Sequence, residues 1–180
     1  MTPTPLWPRI GHGYDLHRLE PLAPAGAGRP LLIGGVRLES PVVGGVRVGP
    51  VGHSDADALL HAITDALLGA LGEPDIGQLF PDTDPRHESG DSRVFVGEAV
   101  ARVRAAGYQI ANLDATVILE RPKIGAHKEA MRASIASLLG IDPSGVNVKG
   151  KTHERVDAVG EGRAIEAHAV VLLIRVPPSA

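Results

Sequence analysis

Residues 54–71 read SDADALLHAITDALLGAL, and this stretch decides the fold. Leucine and isoleucine recur in it at spacings of three and four residues, the pattern of an amphipathic helix. Ser54 stands directly before the repeat, where its hydroxyl can accept a hydrogen bond from a free backbone N–H, so we expect Ser54 to cap the helix. An apolar helix face of this length needs a partner surface, which the rest of the chain has to supply.

The segments on either side of this helix predict the strands and helices that form its partner surface. Gly34-Gly35 lies between apolar residues and suits a two-residue turn that joins two short strands. Residues 41–52 are rich in glycine and proline and predict a mobile loop. Longer strands are expected over 9–17, 109–120, 146–152 and 165–176, and further helices over 91–107 and 127–139. This order predicts an α+β protein in which helices pack on one face of a single mixed β-sheet.

Length and composition limit the class of protein. The chain has 180 residues, 43% hydrophobic and 22% charged, which predicts one globular domain over residues 1–180 with flexible residues 1–8. A net charge of −3 with one Trp, two Tyr and two Phe argues against nucleic acid as a partner. The apolar run 169–174 is far shorter than the roughly 18 residues of a membrane span. The proline-rich start without a basic cluster predicts a cytoplasmic protein that does not bind a membrane.

The chain contains no cysteine, so a metal ion would have to be bound by His, Asp or Glu. Asp15 and His17 are two residues apart, which places both side chains on one face of a strand. His61 lies in the predicted helix, and Asp65, one turn later, is expected to accept its second imidazole N–H. One Asp and two His form a three-ligand zinc site with a fourth position open. A hydrogen-bonded strand end and a helix-surface histidine are the alternative explanations.

Two further segments could contact a ligand. His53 and Ser54 precede the helix, whose free N–H groups and positive dipole end can bind a phosphate. Residues 80–85 form an acidic turn with two prolines, which by itself indicates only a rigid loop.

Taken together, the motifs resemble the 2-C-methyl-D-erythritol 2,4-cyclodiphosphate synthase family of the non-mevalonate isoprenoid pathway. In chain order they are Gly11-His12-Gly13-Tyr14-Asp15-Leu16-His17, Ile33-Gly34-Gly35-Val36, His53-Ser54-Asp55-Ala56-Asp57 with His61, Asp75-Ile76-Gly77, the turn 80–84, Arg121-Pro122-Lys123 and Asn147-Val148-Lys149. None of them is specific alone, but their joint occurrence from Ile10 to Val176 is.

The resemblance implies a homotrimer with active sites between neighbouring subunits. It also implies a reaction: the 2-phosphate of 4-diphosphocytidyl-2-C-methyl-D-erythritol 2-phosphate attacks the β-phosphorus of the same molecule and expels CMP. The cofactors implied are Zn²⁺, or another divalent cation, at Asp15, His17 and His61, and Mg²⁺ or Mn²⁺ at Glu154. His53 and Thr152 are the implied catalytic residues, which stabilise the transition state.

The implied substrate-binding residues lie in several turns: Ser54, Asp75, Ile76, Gly77, Phe80, Pro81, Asp82, Thr83, Asp84, Arg121, Pro122, Lys123, Lys151, His153 and Arg163. The chain departs from the family pattern at Ala158, where a bulky apolar residue is usual, and at Glu161, where a phosphate-binding arginine is usual. We expect Arg163 to replace the charge lost at Glu161, with Lys151 as the alternative. Two alternatives to the synthase remain, a metal-dependent phosphohydrolase and an inactive trimeric scaffold.

Overall fold

The structure is a computed structural model and describes residues 7–81 and 90–176. Its strands are β1 (Arg9–Pro21), β2 (Leu32–Ile33), β3 (Val36–Arg37), β4 (Val42–Val43), β5 (Val46–Pro50), β6 (Tyr108–Ile118), β7 (Val146–Lys151) and β8 (Ala164–Arg175). Its α-helices are α1 (Ala58–Leu71), α2 (Ile76–Leu79), α3 (Arg93–Ala105), α4 (Lys128–Leu139) and α5 (Asp157–Gly160). The three long helices and the four long strands that the sequence predicts are therefore confirmed.

Six strands form one mixed sheet in the order β4-β5-β1-β8-β6-β7. The β6–β7 pair is parallel and the other pairs are antiparallel. The α+β class and the mixed sheet are thus confirmed. The prediction of a single sheet needs a correction, because β2 and β3 form a separate two-stranded sheet around the expected Gly34-Gly35 turn.

Helix α1 packs on the centre of the sheet. Its side chains Leu59, Leu60, Ile63, Leu67 and Leu68 are each at most 1% exposed, and burial of such a side chain contributes roughly 1.5–3 kcal/mol. The covered face of β8 carries small residues, among them Ala167 and Ala169, which are fully buried. Small residues on the strand and large ones on the helix let the two backbones approach closely.

Two local predictions are wrong. Residues 41–52 do not form an irregular loop, because Val42–Val43 pairs with Val46–Arg47 in a hairpin whose second strand continues onto the end of β1. The cap of α1 is Asp57 and not Ser54: the Asp57 carboxylate accepts the N–H of Leu60 at 3.1 Å. The same carboxylate accepts the N–H groups of Gly34 and Gly35 at 2.9 and 2.7 Å, which ties the hairpin turn to the helix.

On the opposite face of the sheet, exposed apolar side chains of β1 and β8 lie beside polar and charged ones such as Asp114 and Lys149, and no described helix covers them. Ile10, Tyr14 and Leu16 on β1 are 72%, 45% and 44% exposed, and Val170 on β8 is 43% exposed. His12 also lies exposed on this face, with its Nε2 atom 3.4 Å from Nδ1 of His168. In the described part of the chain, no helix is both long enough and apolar enough to cross a membrane.

Candidate metal-binding site

Asp15, His17 and His61 meet where β1 lies against α1. Oδ2 of Asp15 is 3.0 Å from Nε2 of His17 and 3.1 Å from Nδ1 of His61, and the two nitrogens are 3.2 Å apart. These three side chains form a group that could hold a metal ion. The strand supplies two of the ligands from one face, as the spacing predicts, and the helix supplies the third.

The spacing of the three ligand atoms suits one small divalent cation. Ligands about 2.05 Å from a tetrahedral Zn²⁺ are separated by roughly 3.3 Å, close to the distances between these three atoms. The side chains of His17, His61 and Asp15 are 14%, 12% and 24% exposed, so the ligands are shielded on most sides. All three side chains also line the cavity described below.

Charge and hydrogen bonding in the cluster favour an ionised Asp15. Burial opposes ionisation, but hydrogen bonds from His17 and His61 outweigh it and hold the pKa of the Asp15 carboxyl well below its usual value. Burial also opposes the charged form of His17, yet its hydrogen bond to Asp15 outweighs this and raises the pKa of the imidazole. The cluster therefore attracts cations, and protons compete with a metal ion for it.

The second ring nitrogen of His61 has a different partner from the one expected. Its Nε2 atom lies 2.9 Å from Oγ of Ser92 and 3.0 Å from Oγ of Ser54. Asp65 does not accept this N–H, so that prediction is wrong: its Oδ1 atom accepts the N–H of Ile76 at 2.8 Å. Asp65 thereby holds the start of α2 against α1.

A cavity of about 460 Å³ opens beside the three ligands. Its lining brings together a large share of the predicted residues, and consists of Asp15, His17, His53, Ser54, His61, Ile76, Gly77, Phe80 and Phe95. Asp75 caps α2 by accepting the N–H of Gln78 at 2.9 Å, and so orients the turn that carries the cavity wall. Pro81 follows at the end of a described range, and Asp82, Thr83 and Asp84 lie outside the described residues.

Other predicted residues line separate cavities. Thr152, Lys151 and Lys123 line one of about 390 Å³ together with Lys128, and Arg121, Pro122 and Lys123 line a neighbouring one. Neither includes a member of the Asp15 cluster. Within the described residues of this chain, the predicted site is therefore divided into two parts.

The turn after Thr152 has an unusual backbone. Glu154, Arg155 and Asp157 all have positive φ angles, between 52° and 66°, a conformation that costs a non-glycine residue free energy and concentrates at functional sites. Glu154 is exposed. His153 donates from Nδ1 to Oδ2 of Asp157 at 2.8 Å, which braces the turn.

The two departures from the family pattern lie in this region. Arg163 donates from Nε to Oε2 of Glu161 at 2.7 Å, so the carboxylate has a cation beside it. Glu161 also lines a cavity that contains Arg121 and Arg155. The side chains of Arg163 and Glu161 are 62% and 54% exposed, so their pairing contributes little to stability.

Three residues beside the cluster were not predicted from the sequence: Phe95, which lines the cavity, and Ser92 and Asp55. Ser92 is fully buried, and its hydroxyl donates to Oδ1 of Asp55 while it lies against His61. The only signal was that Asp55 belongs to the His53–Asp57 motif. Ser92 itself has the spacing and residue type of an ordinary helix cap.

Fold and site together define a small α+β protein with an Asp/His/His cluster that could bind a metal ion. The chain belongs to the YgbB family, whose model matches residues 8–174.

Proteins similar to this chain have names that state an activity, and a similar solved structure has a name that states a ligand. A Catharanthus roseus protein named as a chloroplastic 2-C-methyl-D-erythritol 2,4-cyclodiphosphate synthase is 55% identical over 167 residues, 93% of this chain and 66% of that protein. The chain thus spans about two thirds of this plant relative. A Verminephrobacter eiseniae synthase of the same name is 53% identical, over 94% of this chain and 87% of that protein. The solved structure "IspF (Plasmodium falciparum) CDP complex" covers 97% of this chain and all of that chain, with a TM-score of 0.79 and 37% identity.

Proposed function

We propose that this protein is a 2-C-methyl-D-erythritol 2,4-cyclodiphosphate synthase. The observation that carries the proposal is the Asp15, His17 and His61 cluster at the mouth of a cavity lined by His53 and Ser54. It occurs in a chain of the YgbB family that is 53–55% identical to proteins of that name. The substrate is 4-diphosphocytidyl-2-C-methyl-D-erythritol 2-phosphate, and one domain over residues 1–180 carries the activity.

The reaction needs positioning more than proton transfer. An oxygen of the 2-phosphate forms a bond to the β-phosphorus, the bond from that phosphorus to the CMP oxygen breaks, and its electron pair leaves with CMP. Because the attacking oxygen is already anionic, no side chain has to remove a proton from it. Asp15, His17 and His61 would hold a divalent cation, which when bound would neutralise phosphate charge. His53, Ser54 and Thr152 donate hydrogen bonds to the phosphates as negative charge develops.

The substrate pocket combines both parts of the divided site. The residues around Gly77 and Phe80 contact the erythritol end, as do Asp75, Pro81, Asp82, Thr83 and Asp84. Thr152, Lys151 and Lys123 bind the cytidine end, with contributions from Arg121, Pro122 and His153. Glu154 holds a second ion, Mg²⁺ or Mn²⁺, because its carboxylate is a hard oxygen ligand. Arg163 offsets the charge of Glu161 near the diphosphate.

A homotrimer accounts for this division, because one subunit can contribute the metal part of a site and its neighbour the cytidine part. The exposed apolar side chains of Ile10, Tyr14, Leu16 and Val170 give the subunits a surface to bury against each other. Sedimentation equilibrium should give three times the 18.8 kDa chain mass. Tyr14→Glu should shift the protein towards monomer, whereas Val94→Glu, at a residue 60% exposed on α3, should not.

Phosphorus NMR of the protein with the substrate, Zn²⁺ and Mg²⁺ tests the proposed reaction. The cyclic diphosphate and an equal amount of CMP should appear, and both should be lost on chelation. Release of inorganic phosphate would instead indicate a phosphohydrolase. An unchanged spectrum from protein that binds the substrate would indicate an inactive scaffold, and either of these results would contradict the proposal.

A further inference from the structure

We propose that Ser92, oriented by Asp55, is a positioning residue that keeps the Nδ1 lone pair of His61 directed at the metal. This inference rests on the proposed metal site at Asp15, His17 and His61. It concerns two side chains that do not line the metal-site cavity.

The argument begins with the direction of one proton. An ionised carboxylate only accepts hydrogen bonds, so Asp55 must receive the Ser92 hydroxyl proton in the short contact between Oγ of Ser92 and Oδ1 of Asp55. The second carboxylate oxygen, Oδ2, accepts the backbone N–H of Ser92 at 3.2 Å. Because Asp55 accepts both the hydroxyl and the backbone N–H of Ser92, it fixes the position of the Ser92 hydroxyl and the direction of its proton.

The direction of the Ser92 hydroxyl proton determines which ring nitrogen of His61 is protonated. With its proton given to Asp55, Oγ of Ser92 presents lone pairs to Nε2 of His61, 2.9 Å away. A neutral imidazole carries one proton, so Nε2–H leaves Nδ1 unprotonated, and a metal ligand requires that lone pair. Nδ1 is the ring nitrogen that faces Asp15 and His17.

Without metal, the two ends of the ring compete for the proton. Asp15 offers an acceptor 3.1 Å from Nδ1, which favours the tautomer that cannot bind metal. Ser92 offers the acceptor at the other end, assisted by Ser54 at 3.0 Å. Removal of the Ser92 hydroxyl should therefore shift the tautomer balance as well as loosen the ring.

An ordinary structural role explains Ser92 poorly. It occupies the N-cap position of α3, where a serine usually accepts a backbone N–H, but its side chain makes no capping hydrogen bond. Asp91 takes part of that task by accepting the N–H of Arg93 at 2.9 Å. The Ser92 hydroxyl is buried and directed between a carboxylate and a metal-ligand imidazole.

The test compares Ser92→Ala with Thr64→Val. Thr64 is equally buried, lies on the same helix as His61, and donates its hydroxyl to Leu60 O at 2.8 Å, so its loss reports the cost of a buried hydroxyl alone. Zinc affinity is measured by competition with a chromophoric chelator. Because removal of a group that orients a metal-bound histidine weakens metal binding about 10–100-fold, Ser92→Ala should fall in that range. Thr64→Val should stay within about threefold of the unaltered protein.

A second readout uses the metal-free protein. Nitrogen NMR of the neutral His61 imidazole should show a larger Nε2–H fraction in the unaltered protein than in Ser92→Ala. Asp55→Asn, whose amide can donate to Ser92 and so reverse the hydroxyl proton, should shift the tautomer in the same direction. This readout also serves if Ser92→Ala fails to fold.

The two proposals fail separately. If the unaltered protein binds no zinc, the proposed metal site is wrong, whatever the variants do. If it binds zinc, but Ser92→Ala and Thr64→Val have the same affinity and the His61 tautomer is unchanged in Ser92→Ala and Asp55→Asn, the role of Ser92 is overturned.

Discussion

Gly13 lies so close to Ala62 that a β-carbon added at Gly13 would stand 1.9 Å from the Ala62 carbonyl oxygen. Gly11 has the same relationship to Ala66, at 1.8 Å. These glycines let β1 touch the backbone of α1, although more than thirty residues separate the two elements in the chain. Asp15 lies two residues after Gly13, and His61 directly precedes Ala62. The contact therefore brings Oδ2 of Asp15 within 3.1 Å of Nδ1 of His61.

Gly13→Ala should therefore damage both the fold and the metal site. The methyl group has to push the helix away, at a cost of about 3 kcal/mol for overpacking, and His61 moves with the helix. Chemical denaturation and zinc titration measure the two effects. Gly97→Ala is the control: a β-carbon at Gly97, on the exposed side of α3, meets nothing within 4 Å. It should raise stability by roughly 0.5–1 kcal/mol, and equal effects of the two changes would refute the contact.

Asp57 should contribute more to stability than an ordinary helix cap. Its fully buried carboxylate accepts three backbone N–H groups, from Leu60, Gly34 and Gly35. Because Asp57→Ala leaves buried donors unpaired, we expect a loss of about 3 kcal/mol in the free energy of unfolding. Asp142→Ala removes an exposed cap on the short turn Pro143–Gly145 and should cost less than about 1 kcal/mol. Similar losses in urea titrations would contradict this role of Asp57.

His61→Ala should abolish zinc binding and turnover while the protein stays folded, because it removes one of three ligands and no side chain of the apolar core. Zinc content by atomic absorption and folding by circular dichroism check this. His168→Ala, on the opposite face of the sheet, is the matched histidine control and should retain zinc. Full activity of a zinc-free His61→Ala protein would refute the ligand assignment.

Zinc affinity should rise with pH beyond the ordinary histidine range. Burial opposes the charging of His17, but Asp15 outweighs it, so the raised pKa of His17 lies above the usual value of about 6.5. Because its pKa is raised, the His17 imidazole retains its proton to higher pH, and zinc has to displace that proton. Affinity should thus keep increasing until the pH exceeds this raised pKa.

Asp15→Asn tests the cause. Loss of the carboxylate lowers the His17 pKa, so the rise in zinc affinity should end at lower pH and at a weaker final affinity. Chelator competition at a series of pH values measures both. An affinity in the unaltered protein that is already constant at about pH 6 would exclude a raised His17 pKa.

The elements that sequence predicts well are those with a strong local pattern. The leucine spacing in α1 depends on neighbours within one or two turns, and so does the end of α4 at Gly140, whose left-handed backbone is that of a helix C-cap. The β4–β5 hairpin was missed because its order comes from Leu19–Pro21, which pairs with Val48–Pro50 across a long stretch of chain. No local sequence pattern indicates that pairing, and the glycines and prolines of residues 41–52 indicate a loop.

Some features of the site also follow from a local sequence pattern, whereas others do not. Asp15 and His17 share a face because strand geometry requires it, and His61 joins them through the Gly13 contact. The partner of the His61 Nε2 atom could not be predicted, because Ser92 is 31 residues away and resembles a helix cap. Asp65 had the right helical spacing, but the N–H of Ile76 occupies its Oδ1 atom. Spacing gives proximity, whereas hydrogen-bond partners depend on the whole fold.

The most direct test of the proposed reaction is mass spectrometry of the products formed in oxygen-18-labelled water. If the 2-phosphate of the substrate is the nucleophile, neither CMP nor the cyclic diphosphate gains a label, and the two appear in equal amounts. Labelled phosphate or labelled CMP would mean that water attacks phosphorus, and that the Asp15, His17 and His61 site serves a hydrolase.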